Sequence, residues 1–175
     1  MPELLAAVAS LLPRWPDLHF LGIGDLLTDP YGTELRRCAE RLGIASHVTF
    51  APREPWASLQ SYLAHSVVGV VLLSDRTTFR WSLPIRLFEF MTQGVPVIAS
   101  DVPLVRDVID ATGCGLLLKT GRPEDIAAAM NRLLDDPEEA RLMGARGRQA
   151  ALAHYNWSVE LDRLEEMYQS FQGGA

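Results

Sequence analysis

Leu4, Leu5, Val8, Leu11 and Leu12 recur at the spacing of one helix face, and the pattern stops at Pro13, whose ring and missing N–H interrupt the hydrogen-bond ladder. The run from Leu18 to Gly24 is short, apolar and closed by glycine, which predicts a buried strand entering a turn, with Asp25 to Gly32 as a loop. Thr33 is placed to cap the next helix. There Leu35, Cys38, Ala39 and Leu42 form one face, Arg36, Arg37, Glu40 and Arg41 the other, and Gly43 supplies a left-handed stop. The unit then repeats: a strand at His47 to Phe50, a turn at Pro52 to Pro55, and a helix at Trp56 to Ala64.

Val67 to Leu73 is the most apolar strand candidate and is expected at the centre of the sheet. A polar stretch leads from Ser74 to Trp81, followed by a helix over Leu83 to Gln93, Gly94, a strand at Val95 to Ala99, a helix near Leu104 to Ile109, and a strand at Gly115 to Leu118. Strands that alternate with helices and lack in/out periodicity predict a parallel sheet covered on both faces, an α/β Rossmann-like architecture. Beyond Lys119 the chain turns all-helical, with helices over Glu124 to Leu134, from Pro137, and over Trp157 to Phe171. Residues 1–175 read as one domain whose part from about residue 120 is helical.

Composition adds exclusions. With 16 basic against 22 acidic residues the net charge is −6, so nucleic acid is not an expected partner and any phosphate site must be local. The two cysteines, Cys38 and Cys114, have neither the number for a disulfide framework nor the spacing for zinc, which fits a reducing compartment. No basic-then-apolar leader opens the sequence and no stretch approaches a membrane span, so a cytoplasmic location is expected.

In open parallel sheets, ligands sit at the carboxyl ends of the strands, and one of the corresponding loops stands out. From residue 76 to residue 88 there are three arginines, Arg76, Arg80 and Arg86, and no acid. Ser82 ahead of Leu83, Pro84 and Ile85 reads as an N-cap followed by a first-turn proline, and a helix N-terminus with arginines beside it suits a phosphate or diphosphate. The competing reading pairs Arg86 with Glu89 on an exposed helix face and leaves the other arginines solvated. Glu89 lies in the most apolar part of its helix, where an acid must be hydrogen-bonded or shifted in pKa, and a carboxylate accepting two hydrogen bonds matches a ribose diol. The other signals fall short: Gly22 and Gly24 lack the third glycine of the dinucleotide fingerprint, no P-loop is present, the four histidines are scattered, and no nucleophile elbow surrounds any serine.

The run from Ser82 to Pro103, Ser-Leu-Pro-Ile-Arg-Leu-Phe-Glu-Phe-Met-Thr-Gln-Gly-Val-Pro-Val-Ile-Ala-Ser-Asp-Val-Pro, closely resembles a segment of family 4 (group 1) retaining glycosyltransferases, which have two Rossmann-like domains in the GT-B arrangement. Support continues at Leu21 to Asp25, Ala39 to Gly43, Val48 to Phe50, Gly113 to Leu117 and Pro123 to Met130, all similar to the C-terminal, donor-binding half. The resemblance implies a nucleotide-sugar donor, a UDP- or GDP-sugar, with Glu89 on the ribose hydroxyls. It sets the helix N-terminus from Ser82 through Leu83 and Pro84 to Ile85, together with Arg86 and Arg80, toward the diphosphate, and Pro52 and Arg53 toward the nucleobase. It implies no metal, since helix dipole and basic side chains stabilise the departing diphosphate. It also implies an acceptor domain outside these residues, peripheral membrane association of the full enzyme, and self-association through apolar surface left open on the last helix.

Three departures accompany the resemblance. The family's second acid, eight residues before position 89, is here Trp81. The strand and loop that open the family's donor domain, with their arginine and lysine, do not precede the first helix, and the sole lysine is Lys119. The acceptor domain is absent from these residues. The expectation is a chain that alone binds donor weakly and turns over little, in a sheet whose Leu18–Ile23 and Val67–Leu73 strands flank the place of the missing strand, so that either they pair directly or something else fills it. The alternatives are a non-catalytic nucleotide- or phosphate-binding module and a nucleotide-sugar epimerase.

Overall fold

A computed structural model describes residues 1–25, 29–73 and 81–172. In chain order these residues form α1 (Pro2–Leu11), β1 (Phe20–Ile23), α2 (Pro30–Arg41), a 3-10 turn (Ala45–His47), β2 (Val48–Ala51), α3 (Trp56–Ala64) and β3 (Gly69–Val71). There follow α4 (Ile85–Gln93), β4 (Val97–Ser100), α5 (Pro103–Thr112), β5 (Gly115–Leu118), α6 (Pro123–Asp135), α7 (Pro137–His154) and α8 (Trp157–Gln172). Proline opens α1, α2, α5, α6 and α7, where its fixed φ suits the first turn and its missing N–H leaves nothing unpaired.

Two helix starts differ from the sequence expectation. Asp29, not Thr33, caps α2: its carboxylate accepts from the Tyr31 amide at 2.9 Å, and Thr33 lies inside the helix. Ser82 does not cap α4. Pro84 holds the cap position with extended dihedrals (φ −71°, ψ 127°), and a proline there also keeps Leu83 out of helical geometry, so the helix starts only at Ile85.

Every ladder is parallel. β1 pairs with β2, while β3, β4 and β5 form a second set in that order. β4 is central, with Val97, Ile98 and Ala99 fully buried, and its alternating side chains divide the core. Ile98 joins the cluster built from α1, α2 and α6, whereas Val97 and Ala99 join the cluster of α4, α5 and α7. Helices therefore cover both faces, as the unpatterned apolar strands predicted.

β3 is not central as expected from its apolarity. It pairs with β4 alone, and among the described residues no ladder joins it to β1. With the Gly24 amide donating to Ala51 and the Gly69 amide to Pro96, the alternate residues Leu21 and Ile23 of β1, and Val70 and Leu72 at β3, turn their backbone groups toward no described strand. Direct pairing of these two strands is therefore not seen among the described residues.

Candidate functional site

β3, β4 and β5 run parallel, so Leu73, Ser100 and Lys119 leave their sheet at one edge, and α4 begins after the connection that follows β3. No side chain caps α4, and the carbonyl of Pro84 already accepts from the Leu87 amide at 2.9 Å, so the first-turn amides of Ile85 and Arg86 face outward with the positive end of the helix dipole. Ile85 is 75% exposed and Trp81 74%, which removes both from any core role. Leu87 and Met91 on the opposite side are fully buried against β4 and α7 and hold the helix in place.

Glu89 lies one turn beyond Ile85 and is half-buried. Burial pushes its carboxyl above the ordinary glutamate range, and the nearby Arg86 guanidinium pulls it back without offsetting the desolvation. The two side chains form no ion pair, so the surface-pair reading of Arg86 and Glu89 does not hold in this structure. Arg86 is exposed and remains available to an anion at the helix end.

The expected site residues are thus only partly assembled. Ser82, Leu83, Pro84, Ile85, Arg86 and Glu89 form one contiguous stretch at the start of α4. Pro52 and Arg53 follow β2 and are exposed; the segment they begin leads into α3, which packs on α4. Arg76 and Arg80 lie outside the described residues. Among the described residues no cluster of three or more His, Cys, Asp or Glu is placed to hold a metal. Both cysteines are buried, and burial raises the Cys114 thiol, in keeping with a packing role.

The corner after β4 carries groups that the sequence reading passed over. Asp101 is held by Arg106 at 2.6 Å, its amide donates to Leu118 at 3.1 Å, and the Ser100 hydroxyl bonds to both backbone groups of Leu73. A short polar pair after an apolar strand is too common a pattern to mark such a corner in advance.

Comparison with known proteins places this geometry among relatives. The chain is 31% identical over 175 residues to the D-inositol 3-phosphate glycosyltransferase of Segniliparus rotundus, covering 98% of this chain and 37% of that protein, so it spans well under half the length of that relative. In fold it is similar to Anabaena HepE, solved in complex with UDP-glucose, with a TM-score of 0.82 at 18% identity over 95% of this chain and 44% of HepE. It is also similar to the C-terminal domain of LpcC, a glycosyl transferase group 1 family protein from Francisella tularensis, with a TM-score of 0.75 at 18% identity over 89% of this chain and 79% of that one. The sequence profile of the glycosyl transferases group 1 matches residues 1–150, and with the doubly covered parallel sheet and the open helix end beside Glu89 already in view, the chain belongs to that family.

Proposed function

We propose that the chain is the nucleotide-sugar-binding half of a retaining GT-B glycosyltransferase, its C-terminal domain, acting with an acceptor-binding domain that lies outside these residues. The observation that carries the reading is the start of α4, an uncapped helix end with an unpaired arginine and a half-buried carboxylate one turn on, at the carboxyl edge of a parallel sheet. A nucleoside diphosphate needs these two kinds of partner side by side. Its ribose diol donates to the Glu89 carboxylate, and its phosphates accept from the α4 amides and the Arg86 guanidinium. As the glycosidic bond to phosphate breaks, negative charge grows on the diphosphate, and the same fixed donors stabilise it more than they stabilise the bound sugar nucleotide. In this reading Ser82 to Ile85 face the phosphates, and Pro52 and Arg53 the base.

That no ladder joins β1 to β3 among the described residues supports assignment to one half of a larger protein, because two parallel edges in one core suit a further strand between them. The likeness to the separately solved C-terminal domain of LpcC, over most of that domain's length, supports it too. The lengths of the curated relatives leave room for such a partner domain.

Calorimetric titration of the chain with UDP, GDP and their sugars tests the reading. Binding of one nucleotide, weakened about tenfold or more by Glu89→Ala and by Arg86→Ala, is the expected result, since each substitution removes a charged hydrogen-bonding partner. Binding that neither substitution changes puts the ligand elsewhere and overturns the site. A chain that binds nucleotide but transfers no sugar even when joined to an acceptor domain is the non-catalytic module instead.

A further inference from the structure

We propose that Ser100 is a positioning residue of the donor site, an inference that rests on the reading just given: its hydroxyl clamps Leu73 to the end of β4 and so sets where the chain leaves the sheet on its way to α4. The β3–β4 ladder ends at the pair Val71 and Ala99. Beyond it the Ser100 carbonyl and the Asp101 amide are engaged elsewhere. The Ser100 carbonyl accepts from the Val102 amide at 2.9 Å, Ser100 pairs with Leu118 of β5, and the Asp101 amide donates to Leu118 at 3.1 Å. Past the Val71 and Ala99 pair, the Ser100 hydroxyl reaches Leu73, two residues after the end of β3. Its oxygen accepts from the Leu73 amide at 2.9 Å, and its proton goes to the Leu73 carbonyl at 3.3 Å, so one hydroxyl satisfies both backbone groups of a half-buried residue.

The corner that carries this hydroxyl is itself held: Arg106 binds the Asp101 carboxylate at 2.6 Å, and Val105 of the following helix is fully buried. Ser100 is therefore a fixed point, and Leu73 is tied to it at the edge where ligands of parallel sheets bind. Loss of the clamp releases Leu73 at that edge, ahead of the phosphate-facing stretch from Ser82 to Ile85 in the chain. The consequence belongs to ligand geometry as well as to stability, because a site loosened by about an ångström binds its ligand markedly less well.

The test titrates UDP and GDP into the chain and its Ser100→Ala, Ser100→Thr and Thr112→Val variants, with Tm recorded for each. Thr112→Val is the structural control: it removes two hydrogen bonds, to Val108 at 2.7 Å and from Cys114 at 3.3 Å, at the opposite edge of the sheet. The expected result is about tenfold weaker nucleotide binding for Ser100→Ala, retention within about threefold for Ser100→Thr, and a lowered Tm with unchanged affinity for Thr112→Val. Ser100→Cys, nearly isosteric but a poor hydrogen-bonding group, takes the place of alanine if that variant does not fold. Wild-type affinity in Ser100→Ala or Ser100→Cys, alongside losses in Glu89→Ala and Arg86→Ala, overturns this inference and leaves the donor site standing. Failure of the wild-type chain to bind either nucleotide overturns both.

Discussion

Burial raises the pKa of Glu89 while Arg86 opposes the shift only in part, so the folded chain holds this proton more tightly than the unfolded chain does. With more protons bound in the native state, stability falls as pH rises from the ordinary glutamate pKa through the raised folded value. Glu89→Gln removes that fall. Urea unfolding at about pH 4 and about pH 7.5 is expected to show the glutamine variant gaining on the wild type at the higher pH; a difference that does not change with pH contradicts the assignment. If Glu89 accepts the ribose hydroxyls as proposed, nucleotide binding is expected to run the other way, with affinity declining as pH drops through the raised pKa. A residue whose removal stabilises the fold and weakens the ligand is one kept for binding. Its oddity was legible in the sequence as an acid inside an apolar helix run. That Arg86 does not pair with it was not, since i,i+3 spacing permits a pair without requiring one.

The elements were read from the sequence with different success for identifiable reasons. Helix α3 and strand β5 lie where periodicity and punctuation set them, and Gly43 and Gly113 stop their helices with φ of 69° and 62°. The starts of α2 and α4 shifted because a proline decides each: Pro30 at the first turn favours Asp29 before it over Thr33, and Pro84 takes the cap position itself and excludes Ser82 two residues earlier. The approach of α7 to α4 was not legible at all. Gly144 lies mid-helix, where alanine is better by about 1 kcal/mol in isolation, but a Cβ there would overlap the Gly94 carbonyl. Backbone cannot yield as a flexible side chain does, so Gly144→Ala is expected to lower stability by about 2 kcal/mol. Gly121→Ala, with open space around its Cβ, is expected to change it by less than about 0.5 kcal/mol. Equal effects in thermal or urea unfolding would show that α4 and α7 are not in close backbone contact.

At the scale of the molecule, α8 carries apolar side chains that nothing described covers. Trp157, Leu161, Leu164, Tyr168 and Phe171 follow a four-three spacing, and Trp157 is 80% and Phe171 72% exposed. Such a face promotes association. Sedimentation of the isolated chain is expected to show mass rising with concentration, and a double substitution, Leu161→Glu with Leu164→Glu, to abolish the rise while shifting Tm by no more than a few degrees, since both residues are exposed, at 51% and 43%. Association that survives the double substitution would move the interface to the open edges of β1 and β3.

Neighbouring residues were enough to set the alternation of strands and helices and the covering of both sheet faces, because periodicity, proline and glycine act locally. Tertiary contacts set the rest: among the described residues no ladder joins β1 to β3, the Ser100 hydroxyl holds Leu73 just beyond the end of β3, and Glu89 is half-buried with no ion pair. Those outcomes depend on which segments meet across dozens of residues, and hydrogen bonding, burial and charge take effect only after they have met.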